Sequence, residues 1–203
     1  MRIAKLALTI AFAVVGLVML SNQRAAADGG IPLKALAGNY SDTAQGSLSV
    51  CVDGSKLPSF ALIDCADAKA IAFPNNYLEA GEATRDEAGN TCATFTNVVA
   101  TLPVDNTPPA VFVARHNVST VTNYDASTGT GDGSTTTYAG GTCDGSTFDK
   151  TGATATGTSK FHFVASGHGR RIDFVVTSLI FYVTDTTGNF VGDFSISGSN
   201  LRQ

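Results

Sequence analysis

The strongest constraint on the fold is a run of alternating apolar residues on both sides of a Gly-His-Gly turn, within residues 161–176. A two-residue turn centred on His168 and Gly169 places three apolar pairs on one face of a two-stranded ladder. These pairs are Ala165 with Ile172, Phe163 with Phe174, and Phe161 with Val176. A shift of one residue would set Phe163 against Asp173, so the pattern selects the first register and predicts an antiparallel β-hairpin.

A second hairpin is predicted at Gly188-Asn189, because this pair readily adopts the positive φ of a tight turn. Its register would create two apolar pairs, Val183 with Phe194 and Phe181 with Ile196. The two hairpins share the strand Ile172–Thr184, but the first buries even-numbered positions and the second odd-numbered ones. A β-bulge near Thr177–Leu179 would resolve this conflict, since an extra residue moves the following side chains to the other face.

The rest of the chain is predicted to form further strands separated by turns. Residues 47–52 alternate between apolar and polar, which is typical of a strand with one buried face. Three more strands are predicted, at 70–83, 91–102 and 110–122. A short helix competes with a loop at 57–72. The Gly-, Ser- and Thr-rich residues 123–159 are predicted to form a long surface hairpin or loop.

This pattern predicts an all-β fold, a single antiparallel meander closed as an up-and-down barrel of about eight strands. A β-sandwich is the alternative. Gly38-Asn39-Tyr40, ahead of the first predicted strand, resembles the Gly-x-Trp sequence that opens lipocalin-type barrels. The resemblance implies a lipocalin-like architecture by analogy, without membership of that family.

The first 27 residues have the three-part layout of a secretory signal peptide. Arg2 and Lys5 precede an apolar stretch, residues 6–20, which is shorter than the ~20 residues that a transmembrane helix needs. Ala25-Ala26-Ala27 then supplies the small residues of a cleavage site. We therefore predict cleavage after Ala27 and a secreted or periplasmic protein with one disulfide-stapled β domain at residues 28–203.

Cleavage would remove three basic residues and no acidic one, which moves the formal charge from −4 to −7. An acidic chain without runs of Lys or Arg is a poor match for nucleic acid or for anionic membranes. We expect neither of these as a partner. The expected partner is instead a small molecule or a component of the cell envelope.

The four cysteines are predicted to form two disulfides in an oxidising compartment. Cys51–Cys65 together with Cys92–Cys143 is favoured among the three possible pairings, because it closes one short local loop. No two cysteines lie two to four residues apart, so their spacing differs from that of a zinc site. The sequence predicts no metal ion and no cofactor.

Candidate ligand-binding residues are few, because the chain has only three histidines and lacks a nucleophile-elbow motif. His162 faces away from its neighbours Phe161 and Phe163, so it would either join a charged surface cluster or line a barrel interior. Asp173 lies diagonal to it on the neighbouring strand, and Arg115 lies in another predicted strand. Arg115, His162 and Asp173 are the candidates, and no catalytic residue is predicted.

Three classes of function are compatible with these features. The first is non-catalytic binding of a small apolar ligand or a carbohydrate in the barrel mouth. The second is a structural or interaction protein of the cell envelope or extracellular matrix. The third is a barrel-type small-molecule cyclase or isomerase, whose chemistry needs only a few polar groups. Binding is the preferred hypothesis, because the chain is poor in catalytic residue types.

Overall fold

Long antiparallel strands make up most of the molecule. The computed structural model describes residues 30–57, 61–97, 113–182 and 189–203. The strands in these ranges are β1 (Gly38–Asp53), β2 (Ala70–Arg85), β3 (Thr91–Asn97), β4 (Val113–Asp125), β5 (Thr130–Ala139), β6 (Thr142–Asp144), β7 (Thr147–Asp149), β8 (Thr154–Ser166), β9 (Arg171–Tyr182), β10 (Asn189–Val191) and β11 (Asp193–Arg202). Single 3-10 turns lie at Leu33–Leu36, Gly54–Lys56 and Gly167–Gly169. The predicted all-β class is confirmed.

Eight of these strands close into a barrel. Each pairs antiparallel with the next barrel strand in the chain, in the order β1-β2-β3-β4-β5-β8-β9-β11, and β11 pairs with β1 to complete the ring. β10 is a short extra strand paired with β9, while β6 and β7 form a separate two-stranded hairpin. The predicted up-and-down barrel is confirmed, and the fold is not a β-sandwich.

The hairpin between β8 and β9 has the predicted register. All three apolar pairs of the sequence pattern are present: Ala165 with Ile172, Phe163 with Phe174, and Phe161 with Val176. His168 has a φ of 58° and Gly169 a φ of 81°, as a type I′ turn requires. The Arg170 N–H donates to the Gly167 carbonyl at 3.3 Å and closes the turn.

The predicted bulge lies at Thr177 in β9. On β8 the consecutive residues 160–161 pair with Ser178 and Val176, which leaves Thr177 as an extra residue on β9. Val176 and Leu179 therefore both line the barrel interior, although one position is even and the other odd. The change from even-numbered to odd-numbered apolar positions in the sequence thus identifies the place where the ladder between β8 and β9 is interrupted.

The predicted register of the second hairpin is wrong. Phe181 pairs with Phe190 rather than with Ile196, and Asn189 lies in a ladder instead of in a turn. Val183, with the rest of residues 183–188, lies outside the described ranges. The turn propensity of Gly188-Asn189 is a local preference, and the barrel sets the pairing of the strands around it.

The register of β11 is fixed by its neighbours on both sides, β1 and β9. Gly198 lies opposite Phe174, and a Cβ atom at this glycine would lie 2.4 Å from the tip of the phenyl ring. The same arrangement recurs between β5 and β8, at Gly131 with Phe163 and at Gly133 with Phe161. A phenyl ring packed over a glycine on the facing strand leaves no room for a side chain at that glycine. This packing therefore fixes the register of the two strands.

The prediction of a long surface hairpin or loop over residues 123–159 is wrong for most of this range. β5 is a barrel strand between β4 and β8, and only the β6–β7 hairpin stands apart from the barrel in this described stretch. The inward positions of β5 are glycine or threonine, so the strand lacks the apolar alternation that sequence reasoning requires. Phenylalanine rings from β8 supply the missing apolar volume, because strand formation depends on cross-strand packing more than on intrinsic propensity.

The remaining strand predictions need smaller adjustments. β1 begins at Gly38 rather than near Ser47, and β4 extends to Asp125. The ambiguous stretch at 57–72 contains turns, a bridge between Leu62 and Val52, and the start of β2. There is no α-helix in the described ranges, nor any helix long and apolar enough to cross a membrane. Parts of the predicted strands 91–102 and 110–122 lie outside those ranges.

Both predicted disulfides are present. Cys51 bonds to Cys65, and Cys92 on β3 bonds to Cys143 on β6. The second bond ties the β6–β7 hairpin to the barrel wall. Two disulfides are compatible with an oxidising extracellular or periplasmic environment.

One end of the barrel is closed by residues 31–37, which run across it before β1. Leu33 approaches the β2–β3 turn at Gly89, and Leu36 approaches the β8–β9 turn at Gly169. The buried Tyr40 hydroxyl shares its single proton between the carbonyls of Leu36, at 2.7 Å, and Gly169, at 2.9 Å. The core packs directly beneath this segment and contains Leu36, Tyr40, Ala83, Ala93, Phe163, Ala165 and Ile172.

Candidate functional site

The barrel interior holds a cavity of about 300 Å³, a volume at the lower end of the range for ligand pockets. Its walls differ in polarity: every lining residue of β9 is apolar, whereas every lining residue of β4 and β5 is polar. The apolar lining is Ala44, Leu48, Val50, Ala83, Ala93, Phe95, Phe161, Ile172, Phe174, Val176, Leu179 and Ile196. The polar lining is Asp42, Tyr77, Glu79, Arg85, Thr91, Arg115, Asn117, Ser119, Thr135, Thr137, Thr156, Ser159 and Asn200.

Two carboxyl groups lie side by side on the cavity wall. The β1–β2 register sets Asp42 opposite Gly81 and Ala44 opposite Glu79, so both acids point inward one pleat apart. Asp42 is 5% exposed and Glu79 is 3% exposed. The two carboxyl groups are close enough for each to shift the pKa of the other. This pair is the deepest concentration of titratable groups in the barrel.

Polar side chains from three strands hold the Glu79 carboxyl in place. The Tyr77 hydroxyl donates to Glu79 Oε2, and the Asn117 amide Nδ2 donates to Glu79 Oε1 at 3.4 Å. The Thr137 hydroxyl in turn donates to the Asn117 amide oxygen at 2.7 Å. Because each partner also lines the cavity, this network forms a continuous polar wall beside the carboxyl pair.

Burial makes the carboxyl pair retain a proton near neutral pH. Burial, with the negative charge of Asp42 as a second cause, raises the pKa of Glu79 to about 8. Burial also raises the pKa of Asp42, although the hydrogen bond with Glu79 and the positive charge of Arg85 oppose this shift. Two like charges this close in a dry site cannot both form easily. The pair therefore holds one proton near neutral pH.

At the closed end of the cavity, polar atoms remain without partners. Arg85 is 7% exposed, and its Nε donates to the Thr91 hydroxyl at 3.0 Å. Its Nη1 and the Oδ1 atom of Asp42 are both buried without a hydrogen-bond partner. Asn200 lies directly opposite Asp42 in the β1–β11 ladder, is 7% exposed and lines the cavity. We call Asp42, Arg85 and Asn200 the polar floor.

Of the three candidate residues from the sequence, Arg115 lines the cavity and the other two lie on the outer surface. His162 Nδ1 lies 2.9 Å from Asp132 Oδ1, with both side chains about half exposed. The single N–H of Arg171 Nε is shared between the two carboxylate oxygens of Asp173, at 2.8 and 2.9 Å. His162 and Asp173 border one shallow groove on the outer face, separated by the barrel wall from Arg115.

Sequence reasoning did not single out Asp42, Glu79, Arg85 or Asn200. The available signal was a charged residue at an inward-facing position of an alternating strand. In β2 the inward positions are Tyr77, Glu79, Gly81, Ala83 and Arg85, but the boundaries of the strand must be known before these residues share a face. Asp42 was missed because the predicted first strand began after it.

The described ranges contain no cluster of His, Cys, Asp and Glu that could hold a metal ion. Comparison of the chain with protein-family models, with curated proteins and with solved structures finds no match.

Proposed function

We propose that this barrel binds a small, mainly apolar molecule in its interior. The observation that carries the proposal is a two-sided cavity of about 300 Å³, apolar along β9 and polar along β4 and β5. Ligand pockets combine a hydrophobic lining with a few placed polar groups. Such an arrangement fixes the orientation of a ligand through the polar wall and takes most of its affinity from the apolar one.

The energetics of the apolar wall support this proposal. Phe161, Phe174 and Leu179 present carbon surface to the cavity, and water on that side of the cavity would find no hydrogen-bond partner in these side chains. Transfer of apolar ligand surface into such a space contributes about 25 cal/mol per Å². A ligand of ~9 heavy atoms with a favourable free energy of ~0.5 kcal/mol per atom would bind in the sub-millimolar range.

A pair of valine substitutions on β9 tests the proposal. Val176 lines the cavity, whereas its neighbour Val175 is 47% exposed on the outer face. Val176→Phe adds a ring to the cavity, and Val175→Phe adds the same ring outside the barrel. We expect the fluorescent probe 1-aminoanthracene to bind the native protein and Val175→Phe, and to bind Val176→Phe at least about tenfold more weakly.

Circular dichroism checks that both variants fold. Equal probe binding by the two folded variants, or no binding to the native protein, would contradict the proposal. Native mass spectrometry of the purified protein provides a second readout, because a ligand carried through purification would add its mass to the native chain and to Val175→Phe only.

We also propose that the chain is exported, with residues 1–27 removed as a signal peptide. The arrangement of Arg2, Lys5 and the apolar stretch supports this proposal, and two disulfides suit the compartment. Intact-mass measurement of the protein recovered from a secreting host should give a chain that starts at Asp28. A chain that retains Met1 would refute cleavage.

A small-molecule isomerase is the second candidate, favoured by the Asp42–Glu79 pair. A protonated acid beside an ionised one offers a proton donor and a proton acceptor in one dry site, which is what proton-transfer chemistry needs. Asp42 would remove a proton from one ligand atom while Glu79 supplies its own to another. Proton NMR of a bound ligand in ²H₂O provides the test: an isomerase would exchange ligand C–H protons for deuterium, and Glu79→Gln would stop the exchange.

A further inference from the structure

The polar floor specifies the chemistry of the ligand's polar group, if the cavity binds a small molecule as proposed above. Asp42 Oδ1 needs a hydrogen-bond donor and Arg85 Nη1 needs an acceptor. The side-chain amide of Asn200, which is 7% exposed, offers one donor group and one acceptor. An unpaired buried polar atom is unfavourable, so a group that both donates and accepts is favoured here.

The charge of the floor argues against an ionic ligand. Near neutral pH the Asp42–Glu79 pair retains one proton and so carries one negative charge, which the positive charge of Arg85 in the floor balances. A charged head group would lose its hydration without meeting a net opposite charge, which is unfavourable. Arg115 adds a positive charge along the cavity, but it is only half-buried, so solvent screens it.

We infer that the ligand is a neutral amphiphile whose hydroxyl group docks on Asp42, Arg85 and Asn200 while its carbon body packs against β9. A hydroxyl donates one hydrogen bond and accepts others, so it can satisfy an acceptor and a donor at the same time. Phe161, Phe174 and Leu179 then cover the hydrocarbon part of the molecule.

Three probes of equal size test this inference: octan-1-ol, 1-methoxyheptane and nonane each have nine heavy atoms. The alcohol donates and accepts, the ether only accepts, and the alkane does neither. Their affinities are measured by displacement of 1-aminoanthracene from the native protein, with octanoate as a charged comparison. We expect octan-1-ol to bind about 5- to 10-fold tighter than the ether, and tighter than octanoate.

The variant Asn200→Leu removes one member of the floor, and Ser199→Leu is its control on the opposite face of β11. We expect the affinity ratio of alcohol to ether to fall at least about threefold in Asn200→Leu and to stay unchanged in Ser199→Leu. Differences in the hydration of the two probes cancel in this comparison. If Asn200→Leu does not fold, Asp42→Asn replaces it, with the same expected fall.

The possible results separate the two proposals. Equal ratios in the native protein and in the floor variants would overturn the hydroxyl inference while leaving apolar binding intact. Tighter binding of octanoate than of octan-1-ol would overturn it in favour of an anionic ligand. Failure of 1-aminoanthracene and of all the other probes to bind would instead refute the proposed function.

Discussion

The buried Glu79 carboxyl should make the protein less stable as the pH rises through neutrality. Its pKa in the fold is about 8, against 4.5 for an ordinary glutamate. The folded state therefore holds this proton more tightly than the unfolded state does. The stabilisation is complete below pH ~4.5 and is lost progressively up to pH ~8, because each pKa unit corresponds to about 1.4 kcal/mol.

The magnitude follows from this difference of pKa. The full shift corresponds to about 5 kcal/mol, of which about 3 kcal/mol falls between pH 5.5 and pH 9. Asp86, Asp125 and Asp149 have lowered pKa values because of hydrogen bonds from their own turns. Their contribution is gained as the pH rises through the acidic range and is complete by pH ~5.5. The raised pKa of Tyr40 places its titration above pH 10. The pH dependence of stability between these ranges therefore comes mainly from Glu79, with Asp42, whose pKa is also raised, acting in the same direction.

The assay is urea unfolding at several pH values, followed by far-ultraviolet circular dichroism because the chain has no tryptophan. We expect the native protein to lose about 3 kcal/mol of unfolding free energy between pH 5.5 and pH 9. Glu79→Gln should lose clearly less stability across this range, because glutamine preserves the size of the side chain and cannot ionise. The remaining slope comes from Asp42, whose pKa is also raised by burial. Glu82→Gln, on the exposed face of the same strand, is the control and should follow the native profile. Parallel profiles for the native protein and Glu79→Gln would refute the reasoning.

Three further predictions concern other parts of the fold. Tyr40→Phe should destabilise the protein by about 1–3 kcal/mol, because it removes the hydroxyl that donates to the buried carbonyls of Leu36 and Gly169. Tyr124→Phe removes one half-buried hydrogen bond and should have a smaller effect in the same urea titration. Gly133→Ala should lower the melting temperature, because its Cβ would lie 2.1 Å from the Phe161 ring. Adding Phe161→Leu to this variant should restore part of the loss. If the decrease in melting temperature of the double variant equals the sum of the decreases in the two single variants, the contact does not cause the effect. Replacing Cys92 and Cys143 by alanine should destabilise the fold about 1 kcal/mol more than replacing Cys51 and Cys65, because the first disulfide closes a loop of 51 residues and the second a loop of 14. Equal decreases in the free energy of unfolding, measured in urea, would show that loop length does not decide the effect.

The local alternation of apolar and polar residues in the sequence was sufficient to predict some strands and their register, but not others. The β8–β9 register and the bulge at Thr177 followed from alternation around one turn, because a single slip there would bury Asp173. The β5 strand was missed, since its inward glycines acquire an apolar cover only from the phenylalanines of β8. The polar floor was missed for a similar reason, because Asp42 and Asn200 lie 158 positions apart and meet only when the barrel closes.

Closure of the ring by the first and last strands has a consequence for how the chain folds. Residues 40–49 pair with residues 193–202, so the final seam cannot form until the C-terminal strand is available. Contacts of such large sequence separation slow folding, because the loop between them must be ordered before the contact stabilises it. Until then, β1 exposes an unpaired edge. A chain truncated before β11 should therefore associate with other chains through that edge instead of remaining a slightly smaller monomer.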